Sequence, residues 1–599
     1  MHRVSCIHIE NFRACRKVTL PLDSYTPLVG QNNAGKSTIL EAIRWVLKPS
    51  ALKQTDFKSP NEPVVVAACV DGIDADVLGL IPHERHRQAI EPYCREGRLW
   101  IRVTSTGTSA KSTTQEVWQV EECPQEGVPE YWRTYPSGLP QAVTALLPEP
   151  LHVLAMHDIG EDLGKAKSGT TIKGLLDEIM KPLLAAHDEL TTALDTIRSV
   201  LTTDGDQRSE HLKQFDSSAT GALEHFFPGL ALDLDLQVVD VKEFFKAGDL
   251  HVTDTVSGDR RRFDQMGTGA QRAIQMALIR YLADVRRAED DLLSRRLLLI
   301  DEPELYLHPQ GVRRLREALN TLSTSGFQVV LSTHSPLMLN RDNAANTVIV
   351  GNTADDGVTA RKPLRQAVHE AIEGAESQSQ TLFELGNLVD IYFADRVVLC
   401  EGKTDRRLLP LAYERLYQRS PDLDHITFVS VGGCNNFAKA LSVLRAMDIR
   451  ACAIADLDFA YNHARRAELL ERDGGDLIAA KAVLNRLQQE HGFTLGGNGL
   501  PQKCSQWMAS DIWACFAADE EGGSIAQSSH EALKHSHVWA WPQGCIEQVT
   551  GADDKGEDAI IEQEQKLRTM TVSEIETQMP VFKECFDWIK NLQATSQYQ

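Results

Sequence analysis

The segment Gly30-Gln31-Asn32-Asn33-Ala34-Gly35-Lys36-Ser37 meets every required position of a phosphate-binding loop, two glycines spaced by four residues and followed by lysine and a hydroxyl. No other stretch restricts the fold as strongly. Such a loop is delivered by a strand and opens a helix, because only then do successive backbone N–H groups converge on phosphate oxygens. The flanks supply both: Ser24 to Val29 reads as a short strand, and Thr38 to Leu47 places Ile39, Leu40, Ile43, Val46 and Leu47 on one helical face. Lys36 then neutralises phosphate charge and the Ser37 hydroxyl ligates Mg²⁺. Asn32, Asn33, Ala34, Gly35, Lys36, Ser37 and Thr38 are the candidate nucleotide contacts.

At 599 residues the chain exceeds one ordinary core and implies roughly three to four folding units. The net charge of −22 opposes indiscriminate adsorption to nucleic acid or anionic membrane, so a polyanion would have to meet a local basic patch or a metal. The cysteines form no Cys-x-x-Cys pair and no Cys/His cluster at zinc spacing, which argues against a structural zinc or a disulfide framework. No apolar run approaches the roughly 18 residues that span a bilayer. The N-terminus begins as a strand, Val4 to Ile9, so we expect a soluble cytoplasmic protein without a signal peptide.

A second landmark is Arg296-Leu297-Leu298-Leu299-Ile300-Asp301-Glu302-Pro303-Glu304, a buried-type strand that carries two carboxylates to its C-terminal end, where α/β sheets place ligands. Asp301 would hold Mg²⁺ and Glu302 would orient or deprotonate the attacking water. One helix-length later the strand Gln328 to Leu331 ends in Ser332-Thr333-His334, which brings His334 within reach of a γ-phosphate. Ahead of both, Phe263 to Arg272 contains a Gly-rich turn opening a helix.

In this order the four elements resemble the ABC-type ATPase heads of the SMC and RecF group, and Ile9-Glu10-Asn11-Phe12-Arg13 resembles the opening of such heads. The resemblance makes Gly267, Thr268, Gly269 and Gln271 a signature motif that contacts ATP held by a different head. One loop and one signature per chain then imply a homodimer at least, with a dimer of dimers also compatible. The domains expected are an ATPase head over 1–165 and 216–350, a short helical insert at 166–215 serving dimerisation (Ile172, Leu175, Leu176, Ile179, Leu183, Leu184), and a polar linker at 351–390. The remaining stretch is 391–599.

That last stretch begins Arg396-Val397-Val398-Leu399-Cys400-Glu401-Gly402-Lys403-Thr404-Asp405: a buried strand ending in Glu401, then a turn, with Thr404 or Asp405 able to cap the next helix. A second strand, Ile426 to Val431, runs into Gly432-Gly433. A third, Ala451 to Ala455, ends in Asp456-Leu457-Asp458. In extended backbone, residues i and i+2 share a face, so Asp456 and Asp458 are expected to point together and share a divalent ion. This set resembles a Toprim domain, its nuclease branch in particular. The resemblance adds Asp405 to the metal ligands, Glu547 of Trp541-Pro542-Gln543-Gly544-Cys545-Ile546-Glu547 as a further ligand, and Lys555 as a basic group near the scissile phosphate.

An ABC-type head joined to a Toprim domain resembles the OLD (overcoming lysogenization defect) nucleases, in their stand-alone class. The overall expectation is an α/β protein that binds ATP and Mg²⁺ or Mn²⁺ at both sites and cleaves DNA, in antiphage defence or DNA processing, with a retron or a phage-encoded product as a trigger the resemblance allows. Nicking, double-strand cleavage and exonuclease action stay open. Two rival readings are a nucleotide-switched DNA-binding scaffold with an inactive Toprim domain and an ATPase acting on a partner protein. Arg260, Arg261 and Arg262 are either a phosphate-contact patch or a solvated basic turn, and Trp507, Trp513, Trp539 and Trp541 are expected in a core rather than stacked on bases.

Overall fold

The computed structural model describes residues 2–119, 131–147, 150–153, 188–202, 206–224, 233–234, 251–253, 258–287, 296–371, 385–504, 506–552 and 556–592. The chain divides into two compact units, one made of Met1–Arg13, Leu22–Tyr25 and Ser37–Met338, the other of Ala14–Pro21, Thr26–Lys36 and Leu339–Gln599.

In the first unit the strand Arg3–Phe12 pairs antiparallel with Val64–Asp71, followed outward by Arg98–Ser105, Thr113–Trp118 and Trp132–Thr134. Arg98–Ser105 alternates, with Leu99, Ile101 and Val103 buried, as a strand with one wet face must. The strand Arg296–Asp301 lies between Leu151–Val153 and Phe327–Thr333, all parallel. Its apolar residues run without a break because the sheet is buried on both faces there. Helix Pro309–Thr324 makes the crossover between the two longer strands, and Val312, Leu315, Leu319 and Leu322 pack with Leu298, Ile300, Val329 and Leu331 and with Ile279 and Leu282 of helix Thr268–Arg287.

In the second unit the strand Val348–Thr353 pairs in parallel with Leu28 and Val29, the end of the strand that feeds the phosphate loop, and antiparallel with Gly357–Ala360. The C-terminal part holds a four-stranded, all-parallel sheet in the order Ile426–Ser430, Arg396–Cys400, Arg450–Ala455, Val538–Ala540. Side-chain alternation sends Val397 and Leu399 to a core with helices Phe437–Ala446 and Gly475–His491, and Val398 and Cys400 to another with helices Lys403–Tyr417 and Pro580–Lys590. The tryptophans follow: Trp539 and Trp541 are buried in the second core, Trp513 stacks on Tyr461 in the first, and Trp507 packs on Phe493.

The stretch expected as a linker, 351–390, is folded wherever it is described. It finishes one strand, forms the next, and makes helices Leu364–Ala371 and Leu385–Tyr392, whose Leu364, Ala367, Val368, Leu388, Ile391 and Tyr392 join the first core. Its polar composition reflects the outer faces of short elements. Of the helical insert, Asp188–Leu201 and the start of Glu210–Glu224 are helical, while Ile172 to Leu184 lie outside the described residues. Among the described residues no helix is long and apolar enough to cross a membrane.

Candidate functional site

The phosphate loop takes its shape from backbone that only glycine tolerates. Gly30 (φ 155°) and Gly35 (φ 98°) bracket it. A Cβ at Gly30 would stand 2.1 Å from the Val350 carbonyl oxygen, and one at Gly35 would stand 2.3 Å from Val358 Cγ2. Asn352 Nδ2 donates to the Asn33 carbonyl at 3.3 Å. Lys36 is buried, its Nζ donating to the carbonyls of Gly30 (3.0 Å) and Gln31 (2.9 Å), so the ammonium already sits inside the loop. Asn32, Asn33 and Ser37 are exposed, Thr38 is half-buried and Ala34 is buried. Ser37 and Lys36 open helix Lys36–Leu47.

In the first unit Asp301, at the end of its strand, accepts a hydrogen bond from the Ser332 hydroxyl through Oδ1. Glu302 turns out of the strand at φ 45°, and its N–H donates to Ser332 Oγ at 3.0 Å. Its Oε1 lies 3.2 Å from His334 Nε2, with both side chains a little over a quarter exposed. Glu304, to which the sequence assigned no role, braces the histidine: its Oε1 accepts from the His334 N–H at 2.8 Å and from the Thr333 hydroxyl at 2.7 Å. A carboxylate, an imidazole and a second carboxylate held by hydroxyls form an arrangement able to orient a water and hold a cation.

Gly267, Thr268 and Gly269 lie at the opening of helix Thr268–Arg287. Gln271 differs from expectation. Its amide is buried and donates to the Phe263 carbonyl at 3.1 Å, because that position falls on the inward side of the helix's first turn. Beside it Arg272, fully buried, donates from Nη2 to the carbonyls of Asp301 (2.6 Å) and Glu302 (2.8 Å). Burial lowers its pKa to about 10, against the pull of Asp301, Glu304 and Glu302. Arg260, Arg261 and Arg262 are exposed on a short strand, with Arg261 paired to Asp259.

In the C-terminal sheet the parallel register aligns Cys400 with Ser430 and with Ile454, so Glu401, Gly432-Gly433 and Asp456 all emerge at one edge. Asp456 lies just past its strand, and Asp458 opens the short helix Asp458–Tyr461. The extended-backbone argument for that pair therefore does not apply: the chain turns at Leu457, with the Phe459 N–H donating to the Asp456 carbonyl at 3.1 Å. The three acids still share surroundings. Burial, then the charges of Glu401, Asp458 and Asp456, push the Cys434 thiol up to about 12. Asp405 is buried and its Oδ2 accepts from the Gly402 N–H at 3.2 Å, closing the reciprocal half of a helix cap.

Glu547 reaches the same edge through a turn. The Leu457 N–H donates to the Gly544 carbonyl at 2.7 Å, Gly544 adopts φ 126°, and helix Ile546–Thr550 begins there. Single donor atoms of Asp456, Cys545 and Glu547 then lie within 4.8 Å of one another, a set that fits a divalent cation. Lys555 lies outside the described residues. Sequence reasoning missed Arg272, Glu304, Cys434 and Cys545. Only Arg272 left a signal, an arginine at the fifth position of the helix that the glycine turn opens.

Together the two sets of motifs define a class of protein in which an ATPase head and a Toprim nuclease domain share one chain. An AAA ATPase domain model matches residues 3–85 and 164–339, and the model described as "overcoming lysogenization defect protein-like, TOPRIM domain" matches 392–458. The Old nuclease of Escherichia phage P2 is 31% identical over 92% of this chain and 94% of its own length. The OLD nuclease of Thermus scotoductus is 26% identical over 76% of this chain and 81% of its own. Among solved structures, an Smc head domain with an extended coiled coil from Pyrococcus furiosus is similar at a TM-score of 0.36 and 17% identity, over 62% of this chain and 98% of that one. The chain belongs to the OLD nuclease family.

Proposed function

We propose that the protein is a divalent-metal-dependent DNA endonuclease governed by its ATPase, acting in the cytoplasm in defence against phage. The observation that carries this reading is the convergence of Glu401, Asp456, Asp458 and Glu547 from separate segments on one edge of the parallel sheet. Asp456 and Glu547 are the ligands of one cation, and Glu401, Asp458 and Asp405 serve a neighbouring position. When bound, Mg²⁺ or Mn²⁺ supplies an activated water and stabilises the leaving oxygen of the phosphodiester. Lys555 is the proposed basic group for the scissile phosphate.

In the head, Lys36 and the loop N–H groups bind the ATP phosphates, Ser37 and Asp301 hold the nucleotide's cation, Glu302 orients the attacking water, and His334 senses the γ-phosphate. Gly267, Thr268 and Gly269 offer backbone to a nucleotide on a second copy, which requires a homodimer. A retron or phage product would act by shifting that engagement.

Cleavage of supercoiled plasmid by the full chain in Mg²⁺ or Mn²⁺, with and without ATP, tests the reading beside an Asp456→Ala/Asp458→Ala protein. Metal-dependent nicking or linearisation that disappears in the variant is expected. Equal cleavage by both proteins sinks it, and intact plasmid alongside normal ATP hydrolysis favours the scaffold.

A further inference from the structure

Cys434, at the margin of one core, feels the charges of Glu401, Asp458 and Asp456, whereas Cys400, Cys452 and Cys585 lie in apolar surroundings in the other. A buried thiol of that kind behaves as a small hydrophobe. Cys545 is different. It is 1% exposed, yet its Sγ donates to Gln548 Oε1, which also accepts from the Cys545 N–H at 3.0 Å. Sulfur is thereby held among oxygen atoms, within 4.8 Å of a carboxylate oxygen of Asp456 and one of Glu547. A single ion at about 2.0–2.3 Å from each donor fits that spacing with little movement.

We propose that Cys545 completes, with Asp456 and Glu547, a mixed sulfur–oxygen site for a thiophilic divalent cation of the Zn²⁺, Co²⁺ or Cd²⁺ class. This deepens the nuclease reading and rests on it, since Asp456 is shared. Three oxygen donors would suit Mg²⁺; exchanging one for sulfur moves the preference toward softer ions. Binding converts the thiol to thiolate, with the proton leaving to solvent. The site then responds to the ratio of zinc to magnesium.

Co²⁺ titration of the reduced full-length chain tests this by absorption. The expected result is a sulfur-to-cobalt charge-transfer band in the near ultraviolet that Zn²⁺ abolishes on addition, that is lost in Cys545→Ser, and that persists in Cys434→Ser. Glu547→Gln, close in shape to the native residue, should weaken Co²⁺ binding on the order of 10–100-fold. A band unchanged in Cys545→Ser or in Glu547→Gln overturns the assignment, as does the absence of any band at saturating Co²⁺. Plasmid cleavage by the wild-type protein without a band refutes the sulfur donor and leaves the nuclease reading standing; a Cys545-dependent band without cleavage does the reverse.

Discussion

Arg272→Met keeps the length and apolar bulk of the side chain while deleting its donors, and so isolates the contribution of the guanidinium buried behind Asp301 and Glu302. Two hydrogen bonds to backbone oxygens at the end of the carboxylate strand go, at 2.6 and 2.8 Å, together with a longer one to Gln275 Oε1 at 3.3 Å. Bonds from a charged donor contribute about 1.5–3 kcal/mol each, about 3–6 kcal/mol for two. Relief from holding a desolvated charge offsets part of this, as the lowered pKa of Arg272 indicates. A net loss of about 2–4 kcal/mol in stability is expected. The larger effect should fall on turnover, because Glu302 sits at φ 45°, a conformation that costs about 1–3 kcal/mol and persists only while its surroundings impose it. Misplacing the carboxylate by about 1 Å is worth on the order of 100-fold in rate. Single-turnover ATP hydrolysis beside equilibrium nucleotide binding separates the two effects: the rate constant should fall on the order of 10–100-fold with affinity little changed, and Arg272→Lys should recover part. Hydrolysis within about twofold of wild type together with an unchanged melting temperature would falsify the reasoning.

Gly35→Ala should abolish binding of a fluorescent ATP analogue, since its Cβ would stand 2.3 Å from Val358 Cγ2 at φ 98°, and Val358→Ala in the same chain should restore part; full binding by the single variant contradicts the loop geometry. Asp405→Asn keeps an oxygen for the Gly402 N–H and should leave stability unaltered while lowering plasmid cleavage, whereas Asp405→Ala should also lose about 1 kcal/mol in denaturant unfolding; equal cleavage by Asp405→Asn and wild type would reduce Asp405 to a helix cap. His152, His463, His530 and His537 all have pKa values lowered from 6.5, by burial first. The unfolded chain therefore binds more protons in acid, so stability is complete above pH 6.5 and declines as pH falls below it. Melting temperatures at successive pH values should drop on the acid side, and a flat profile would contradict the buried neutral state.

The order of motifs made most of the architecture legible, because strand-end acids and a glycine loop are local patterns with few structural homes. The residues that escaped are those whose meaning is tertiary. Arg272 looks like one more surface charge on a helix until the fold buries it behind the carboxylate strand. Cys545 is unremarkable between Gly544 and Ile546 until the turn at Gly544 folds against Leu457. Asp458 was placed on the right edge by the wrong local geometry, since the strand ends at Ala455 and helix, not extended chain, presents it. The linker expectation failed for a related reason: short amphipathic elements such as Leu364–Ala371 carry too few apolar residues to stand out in sequence.

The dependence of the phosphate loop on residues far downstream sets a limit on dissection. Gly30 packs against the Val350 carbonyl, Gly35 against Val358, and the strand entering the loop pairs with Val348 and Ile349. A nucleotide-binding fragment ending near residue 340 would contain the whole loop motif and yet lack the wall on which the loop is moulded. Proteolysis or truncation there is expected to strip the loop of its support, because the segment leading into the nuclease half is also the scaffold of the nucleotide loop.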